Sequence, residues 1–411
     1  MLQPLKHVAR LVLEKASAYH PLHREALDIS RLESSVPPQV ITPTRRHLDE
    51  AIAWIKRAQE AAGHGGGVAW GYRARASVRS GARLGWLGPY PETTGYIIPT
   101  MLRYARLAGD VGSAHAARRM AEWELRIQLA DGGFQGGIYG ELPVSSSTFV
   151  TGQVLFGLLD AYREWRSTPY RNAAIRAGNF LLECLHESGR FIKGYSHFCA
   201  SGSKAYEVRT GLALAELGIM LGQETYKPAA SRTADYALSC QQQNGWFSEN
   251  DLDEHHRPLT HTIGYVLEGL HGVGMLLNRS DCLDAVRRTL DMITKLIHAD
   301  GFLAGRWRSD WSPAVDWACL TGSAQIAGVY LRMHRDFGNA AYFEAAHRLL
   351  GFVCWTQETK GRVPSLSGGI SGSYPFTGAY GQWCLLNWAT KFFADSLMDY
   401  LVEVLPATEG R

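Results

Sequence analysis

No apolar run in the 411-residue sequence reaches the roughly 18 residues that a membrane-spanning helix needs, so no transmembrane segment is expected. The opening stretch, MLQPLKHVARLVLEKAS, interrupts its apolar positions with charge at helical intervals. That is the pattern of an amphipathic helix and not of a signal peptide. Cysteine is sparse: Cys184, Cys199, Cys240, Cys282, Cys319, Cys354 and Cys384 include no CxxC pair, and seven cannot all close into disulfides within one chain. Reduced thiols and a cytoplasmic location are the expectation. An excess of one charge is also missing, with 42 Lys and Arg against 39 Asp and Glu. No basic stripe exceeds short pieces such as Arg45-Arg46 and Arg118-Arg119, which argues against nucleic acid as a partner. No P-loop and no GxGxxG between strand and helix is found, which argues against a glycosyltransferase of the usual α/β architecture. What is present is 46% hydrophobic residues, enough for a large core, together with 43 Gly, 12 Trp and 18 Tyr. Many of the aromatics fall between helical stretches.

Those helical stretches repeat. Six units share one order: an amphipathic helix, a Gly-rich aromatic segment, then a more apolar helix. The first helices are predicted near His47 to Glu60, Ser113 to Leu129, Tyr170 to Leu185, Tyr226 to Gln242, Asp281 to His298 and Ala340 to Thr356, with apolar residues at helical spacing. The second helices align on a small residue: Gly95, Gly152, Gly211, Gly264, Gly322 and, in the last unit, Asn387. Glycine within a helix costs about 1 kcal/mol relative to alanine, so a register of five calls for a structural cause. Six helices converging on one axis provide it, since a missing side chain lets neighbouring backbones approach. Hairpins that bury their apolar faces only against their neighbours close into an all-α (α/α)6 toroid. We expect the toroid over residues 45–405, an N-terminal helix and Pro-rich strap over 1–44, and a tail over 406–411.

The segments QLADGGFQGG, QQQNGWFSEN and HADGFLAGRW resemble the Q-x-x-DG turns of the terpenoid cyclase and protein prenyltransferase toroid superfamily. This resemblance implies the fold. In the last two units, DWACLTGSAQIAGVYLRM and GGISGSYPFTGAYGQWCLLNWATKFFADSL are similar to bacterial toroid proteins associated with polysaccharide biosynthesis, which implies a pathway and not a reaction. The superfamily's familiar chemistries are poorly matched. The zinc set of the prenyltransferases would need an Asp-x-Cys and a distant His, whereas two residues separate Asp316 from Cys319 and the last unit offers Tyr380 in place of a well-positioned His. The zinc-ligand pair of the lanthionine cyclases corresponds only to Leu270-His271-Gly272. No metal or other cofactor is therefore expected. The acidic DxDD motif of class II terpene cyclases has its nearest counterpart in Asp251-Leu252-Asp253-Glu254, which keeps a cyclase with Asp253 as proton donor as an alternative.

A toroid leaves a funnel at one end, lined by the inter-helix segments and the first turns of the inner helices. The candidate catalytic residues there are Glu92, Glu141, Tyr206, Glu207, His261 and Asp316. Candidate binding residues are Tyr90, Tyr139, Arg209, His255, His256, Trp307, Trp311, Trp317, Tyr374 and Tyr380, with Ser145, Tyr195, His197, Asp310, Arg306, Arg308 and Lys391 in support. Aromatic faces stack on sugar C–H faces while carboxylates, Arg and His bond hydroxyls or a uronate. The set therefore points to an oligosaccharide or lipid-linked saccharide, transformed by acid/base chemistry. Paired carboxylates suit glycoside hydrolysis; a Tyr or His facing an Arg-bound uronate suits C5 epimerisation or elimination. The sequence leaves the choice open, along with a non-catalytic glycan-binding scaffold and the oligomeric state. Several candidates also have a purely structural reading: Glu92 as a helix N-terminal charge, Glu207 with Arg209 as an ion pair, His261 and Asp316 as helix caps, and several Trp as core.

Overall fold

The computed structural model describes residues 36–63, 65–75, 83–195, 202–361 and 364–404. The expected N-terminal helix, most of its strap, the C-terminal tail and His197 lie outside them. Among the described residues twelve α-helices alternate between two concentric rings. The outer ring is α1 (Arg45–Ala61), α3 (Val111–Ile127), α5 (Thr168–Cys184), α7 (Tyr226–Ser239), α9 (Ser280–Thr294) and α11 (Ala340–Thr356). The inner ring is α2 (Pro91–Ala108), α4 (Thr148–Trp165), α6 (Val208–Leu221), α8 (Thr260–Leu277), α10 (Leu320–Phe337) and α12 (Asn387–Val404).

Composition decides which ring a helix joins. In α9 the buried residues Cys282, Ala285, Val286, Thr289, Leu290 and Ile293 recur at three- and four-residue steps, one stripe facing inward. In α10 every residue from Leu320 to Leu331 is buried, which only a helix enclosed on all sides tolerates. Each inner helix packs on the next, and α12 returns to pack on both α2 and α1, so the ring closes. The chain is an (α/α)6 toroid, as expected.

Connections from inner to outer helices are tight. They start at left-handed residues, Gly109 (φ 64°), Gly222 (φ 63°) and Gly338 (φ 70°), with Arg166 and Asn278 adopting the same region, the usual C-terminal helix stop. Connections from outer to inner helices are long, and all gather at the N-terminal ends of the inner ring. They contribute the only strands among the described residues. Strands β1 (Gly71–Arg73), β2 (Gly85–Trp86) and β5 (Cys384–Leu386) form a sheet in the order β2-β1-β5, while β3 (Ala318–Cys319) pairs with β4 (Ser373–Tyr374). The antiparallel β1–β5 ladder, with Gly71 opposite Leu386, joins the first unit to the last. Asn387 reinforces that seam by donating to the Ala69 carbonyl at 2.8 Å and to Thr93 Oγ1 at 2.7 Å.

The aligned glycines act mostly as expected. A Cβ at Gly95 would strike the backbone of Val154, one at Gly152 would meet Thr210, one at Gly264 would meet Gln325, and one at Gly322 would meet the backbone of Thr260 and His261. All four face a neighbouring inner helix. Gly211 differs, since its missing side chain makes room for Thr233 of the outer helix α7. The glycines therefore set the spacing between walls and do not point at the axis, which large side chains fill. No helix among the described residues is long and apolar enough to cross a membrane, and the six described cysteines are buried free thiols.

Gly95→Ala is expected to lower stability by about 1–3 kcal/mol through overpacking, read as a lower urea midpoint at unchanged slope. An unchanged midpoint would refute close approach of α2 and α4.

Candidate functional site

The N-terminal turns of α2, α4, α8 and α12, the 3-10 turn before α6 and the long connections above them line a cavity of about 600 Å³. Aromatic side chains from around the ring form its wall: Trp70, Tyr90, Tyr96, Phe149, Tyr206, Tyr265, Tyr380 and Trp388. The ionisable groups among them are Arg73, Arg83, Glu92, Glu141 and His261. Helical geometry accounts for two of the pairings. Glu92 and Tyr96 on α2, like His261 and Tyr265 on α8, stand four residues apart and share a helix face. Each pair therefore presents its polar group at the mouth and its ring one turn deeper.

Tyr265 links the two pairs. Its ring centre is 4.3 Å from that of His261, and it lines the same cavity as Glu92. Burial pushes the Glu92 carboxyl up to about 7, against the opposing pull of Arg209 and of the Tyr265 hydroxyl. Burial pushes His261 the other way, down to about 4, although its bond to Gln325 favours the charged form. The positive end of α8, where His261 is the second residue, further disfavours an imidazolium. Near neutral pH a carboxylic acid that retains much of its proton thus faces the same space as an imidazole free to accept one. Divergent pKa values of this kind are what separates an acid from a base within one site.

Below the mouth the axis is plugged. The Arg209 guanidinium lies 5.0–5.7 Å from the ring centres of Tyr96, Phe156, Tyr265 and Phe392. It donates to Glu268 Oε2 at 2.9 Å and to Gln153. Burial acts to raise the Glu268 carboxyl, but Arg209, Arg332 and Lys391 outweigh it and hold it below the usual carboxylate range. A second cavity of about 450 Å³ opens beyond this plug, toward the C-terminal ends of the inner helices.

Of the residues expected at the funnel, Tyr90, Glu92, Glu141, Tyr206, His261 and Tyr380 meet in the upper cavity. The others do not, for identifiable reasons. Glu207 turns back to accept from Ser203 Oγ at 2.8 Å and from the Lys204 amide at 2.9 Å, capping the short 3-10 turn before α6. Arg209 lies under the floor and borders the lower cavity. Asp316 is exposed and does not cap α10, whose N-cap is Cys319. Tyr139 packs edge-on against Trp123 on the outside. His255 and His256 are exposed and lie against each other, with ring centres 3.6 Å apart and planes tilted by 44°.

Trp307 and Trp311 are core, their indole N–H groups bonded to Thr260 Oγ1 and the Asn244 carbonyl. Trp317 is buried beside Leu259 and Cys319, and Tyr374 packs on Phe352 and Trp355. Asp253 is half-exposed and paired with Arg306 at 2.7 Å, so it has none of the dryness that alkene protonation requires. Among the described residues no group of three or more His, Cys, Asp and Glu side chains converges as a metal site would.

The positions just after the aligned residue also line the cavity and are absent from the sequence candidates. Tyr96, Tyr265 and Trp388 each follow the aligned residue by one. Glu92, Phe149 and His261 each precede it by three. These two registers together mark the inward face of the inner ring. Trp70, Arg73 and Arg83 lie in a connection without such periodicity, and no sequence signal singles them out.

Glu207→Ala is expected to destabilise the fold by about 0.5–2 kcal/mol, as the loss of a cap does, measured by denaturant unfolding. Saccharide binding at the cavity should be unchanged, and a loss of binding at full stability would return Glu207 to the site.

No family model and no curated protein sequence matches the chain. Solved structures do resemble it. An unsaturated glucuronyl hydrolase specific for heparin superposes with a TM-score of 0.68 at 14% identity, over 87% of this chain and 96% of that one. The unsaturated glucuronyl hydrolase of Bacillus sp. GL1, responsible for degradation of glycosaminoglycan, gives 0.66 at 13% identity over 88% and 97%. The cellobiose 2-epimerase of Bacillus thermoamylovorans gives 0.65 at 11% identity over 86% and 97%. At these identities the likeness establishes the toroid fold.

Proposed function

We propose that the upper cavity is the active site of a carbohydrate-active enzyme that moves protons on an acidic saccharide. One observation carries this reading: Glu92 and His261 line a single aromatic cavity together with Tyr265, their proton affinities displaced in opposite directions. His261 accepts the C5 proton of a uronate. Glu92 then returns a proton, to the opposite face of C5 in epimerisation or to the departing O4 oxygen in elimination. Either route needs the substrate carboxylate partly neutralised, because the carbanion formed at C5 is conjugated with it. Arg73 and Arg83 line the mouth, and the inner-helix N-termini that border the cavity add partial positive charge there.

The structural neighbours act on glucuronyl and cellobiose units by their names, which supports a saccharide as the ligand class. The likeness of the last two units to toroid proteins of polysaccharide biosynthesis supports a glycan or lipid-linked saccharide as its source. Glu141 at the exposed rim of the same cavity favours one second reading, glycoside hydrolysis with Glu92 as acid and Glu141 as the other carboxylate.

The two shifted groups fix a pH profile. Below about 4 His261 becomes protonated and the base is lost; above about 7 Glu92 loses its proton and the acid is lost. The free-enzyme kcat/KM should therefore be bell-shaped between those limits. His261→Gln and Glu92→Gln are each expected to lower kcat/KM by about 10²- to 10⁴-fold on uronic oligosaccharides. Binding retained in both variants, with no turnover by the wild type on any acidic or neutral saccharide, would replace the enzyme with a glycan-binding scaffold.

The mouth makes a separate demand. Arg73→Ala should raise KM for acidic oligosaccharides with little effect on neutral ones, and equal effects on both would remove the uronate from the proposal.

A further inference from the structure

His261 is not held by its helix alone. Its Nδ1 lies 2.5 Å from Gln325 Oε1, a contact reaching from α8 to α10. The Gln325 amide nitrogen in turn lies 3.3 Å from Glu268 Oε2, the oxygen that also accepts from Arg209. The direction of every proton in this chain follows from what each group can do. Arg209 only donates, and Glu268, kept ionised by its cationic neighbours, only accepts. Gln325 must then turn its NH2 toward Glu268, which leaves its carbonyl oxygen facing His261. A carbonyl only accepts, so His261 must carry its proton on Nδ1. Nε2 is left as a bare lone pair with no partner among the described residues, on a ring that lines the upper cavity.

We infer that Gln325, oriented by Glu268 and Arg209, is a positioning residue that fixes His261 in the tautomer whose Nε2 accepts a proton from the substrate. The inference rests on the proposed proton-transfer function and adds how its base is held ready. Two glycines of the aligned register make the arrangement possible. A Cβ at Gly264 would lie 2.9 Å from Gln325 Cβ and 3.0 Å from its Oε1, and one at Gly322 would lie 2.6 Å from the His261 amide nitrogen. A side chain at either position would therefore push the two partners apart. Gln325 is fully buried, so water cannot substitute as the acceptor. The other charged or titratable groups around His261 are Tyr265 and Tyr380, at 4.3 and 5.8 Å between ring centres, Cys319 beside its backbone, and Arg209 with Glu268 below. Tyr265 and Tyr380 are held protonated by burial, and neither supplies a competing acceptor at Nδ1.

The tautomer is readable without any substrate. Long-range proton–nitrogen NMR correlations on the full chain with isotope-labelled histidine, assigned by the signal that disappears in His261→Gln, should show Nδ1 protonated and Nε2 bare at pH 7. Gln325→Met, which removes the acceptor at similar volume, should mix the tautomers and lower kcat at least about 10-fold with KM nearly unchanged, as misplacing a base does. Gln325→Glu keeps an acceptor and should restore the tautomer. It should also recover part of kcat and shift the His261 titration upward. A proton found on Nε2 in the wild type overturns the inference, as does a Gln325→Met enzyme with wild-type kcat. If His261→Gln itself leaves turnover of an established substrate unaltered while the tautomer is as stated, the proposed function fails and the assignment of the proton stands.

Discussion

The toroid depends on a cation in its own axis. Six helices packed into a ring leave a central channel, and in this protein Arg209 stops it with a guanidinium enclosed by aromatic faces from four other inner helices, α2, α4, α8 and α12. A charge in such a place is several kcal/mol worse off than in water unless it is paired and fully bonded. Glu268 and Gln153 supply the partners, and the ring faces add cation–π attraction that strengthens as water is excluded. The plug makes the upper cavity a blind pocket, sets the electrostatic field that both Glu92 and His261 experience, and orients Glu268 toward Gln325. An apolar plug of equal volume would close the channel but do neither of the last two things.

Burial then acts on Glu92 and His261. The same dry wall raises one proton affinity and lowers the other, because it penalises charge of either sign. The toroid thus produces an acid and a base near neutral pH from residues that begin with opposite tendencies. It needs only to keep them out of water and leave them a common space about the size of a small saccharide. The aromatic wall around them suits the C–H faces of a sugar ring, and the cations at the mouth suit a carboxylate.

Much of the architecture was legible in the sequence, because inner and outer helices differ in how many of their faces are apolar and because the glycine register betrays close backbone approach. The candidate site was legible in part, through Tyr90, Glu141, Tyr206 and Tyr380 in the connections and through two positions of that register. Glu92 and His261 stand three residues before an aligned glycine and were named; Tyr96 and Tyr265, one residue after it, lie on the same helix face and were missed. Glu207 and Asp316 looked equivalent to Glu92 by position. Yet Glu207 is consumed by capping a 3-10 turn that no pattern announces, and Asp316 precedes a β-bridge that turns it to solvent. Partners drawn from separate units, such as His261 with Gln325 or Arg209 with Glu268, are invisible along the chain, since nothing local links side chains about sixty positions apart. The aromatic clusters misled for a related reason. Trp307, Trp311 and Trp317 sit in the same kind of loop as Trp70, and only tertiary packing decides which rings seal the wall and which line it.

The upper cavity, and not the lower one or the outer surface, is the proposed seat of a sugar acid. The most direct measurement is a crystal structure of the protein soaked with a uronic disaccharide. The ring should lie between Glu92 and His261, with its C5 hydrogen directed at His261 Nε2 and its carboxylate at Arg73. A disaccharide bound in the lower cavity beside Lys391 and Arg332, or one in the upper cavity with its C5 turned away from both groups, would contradict it.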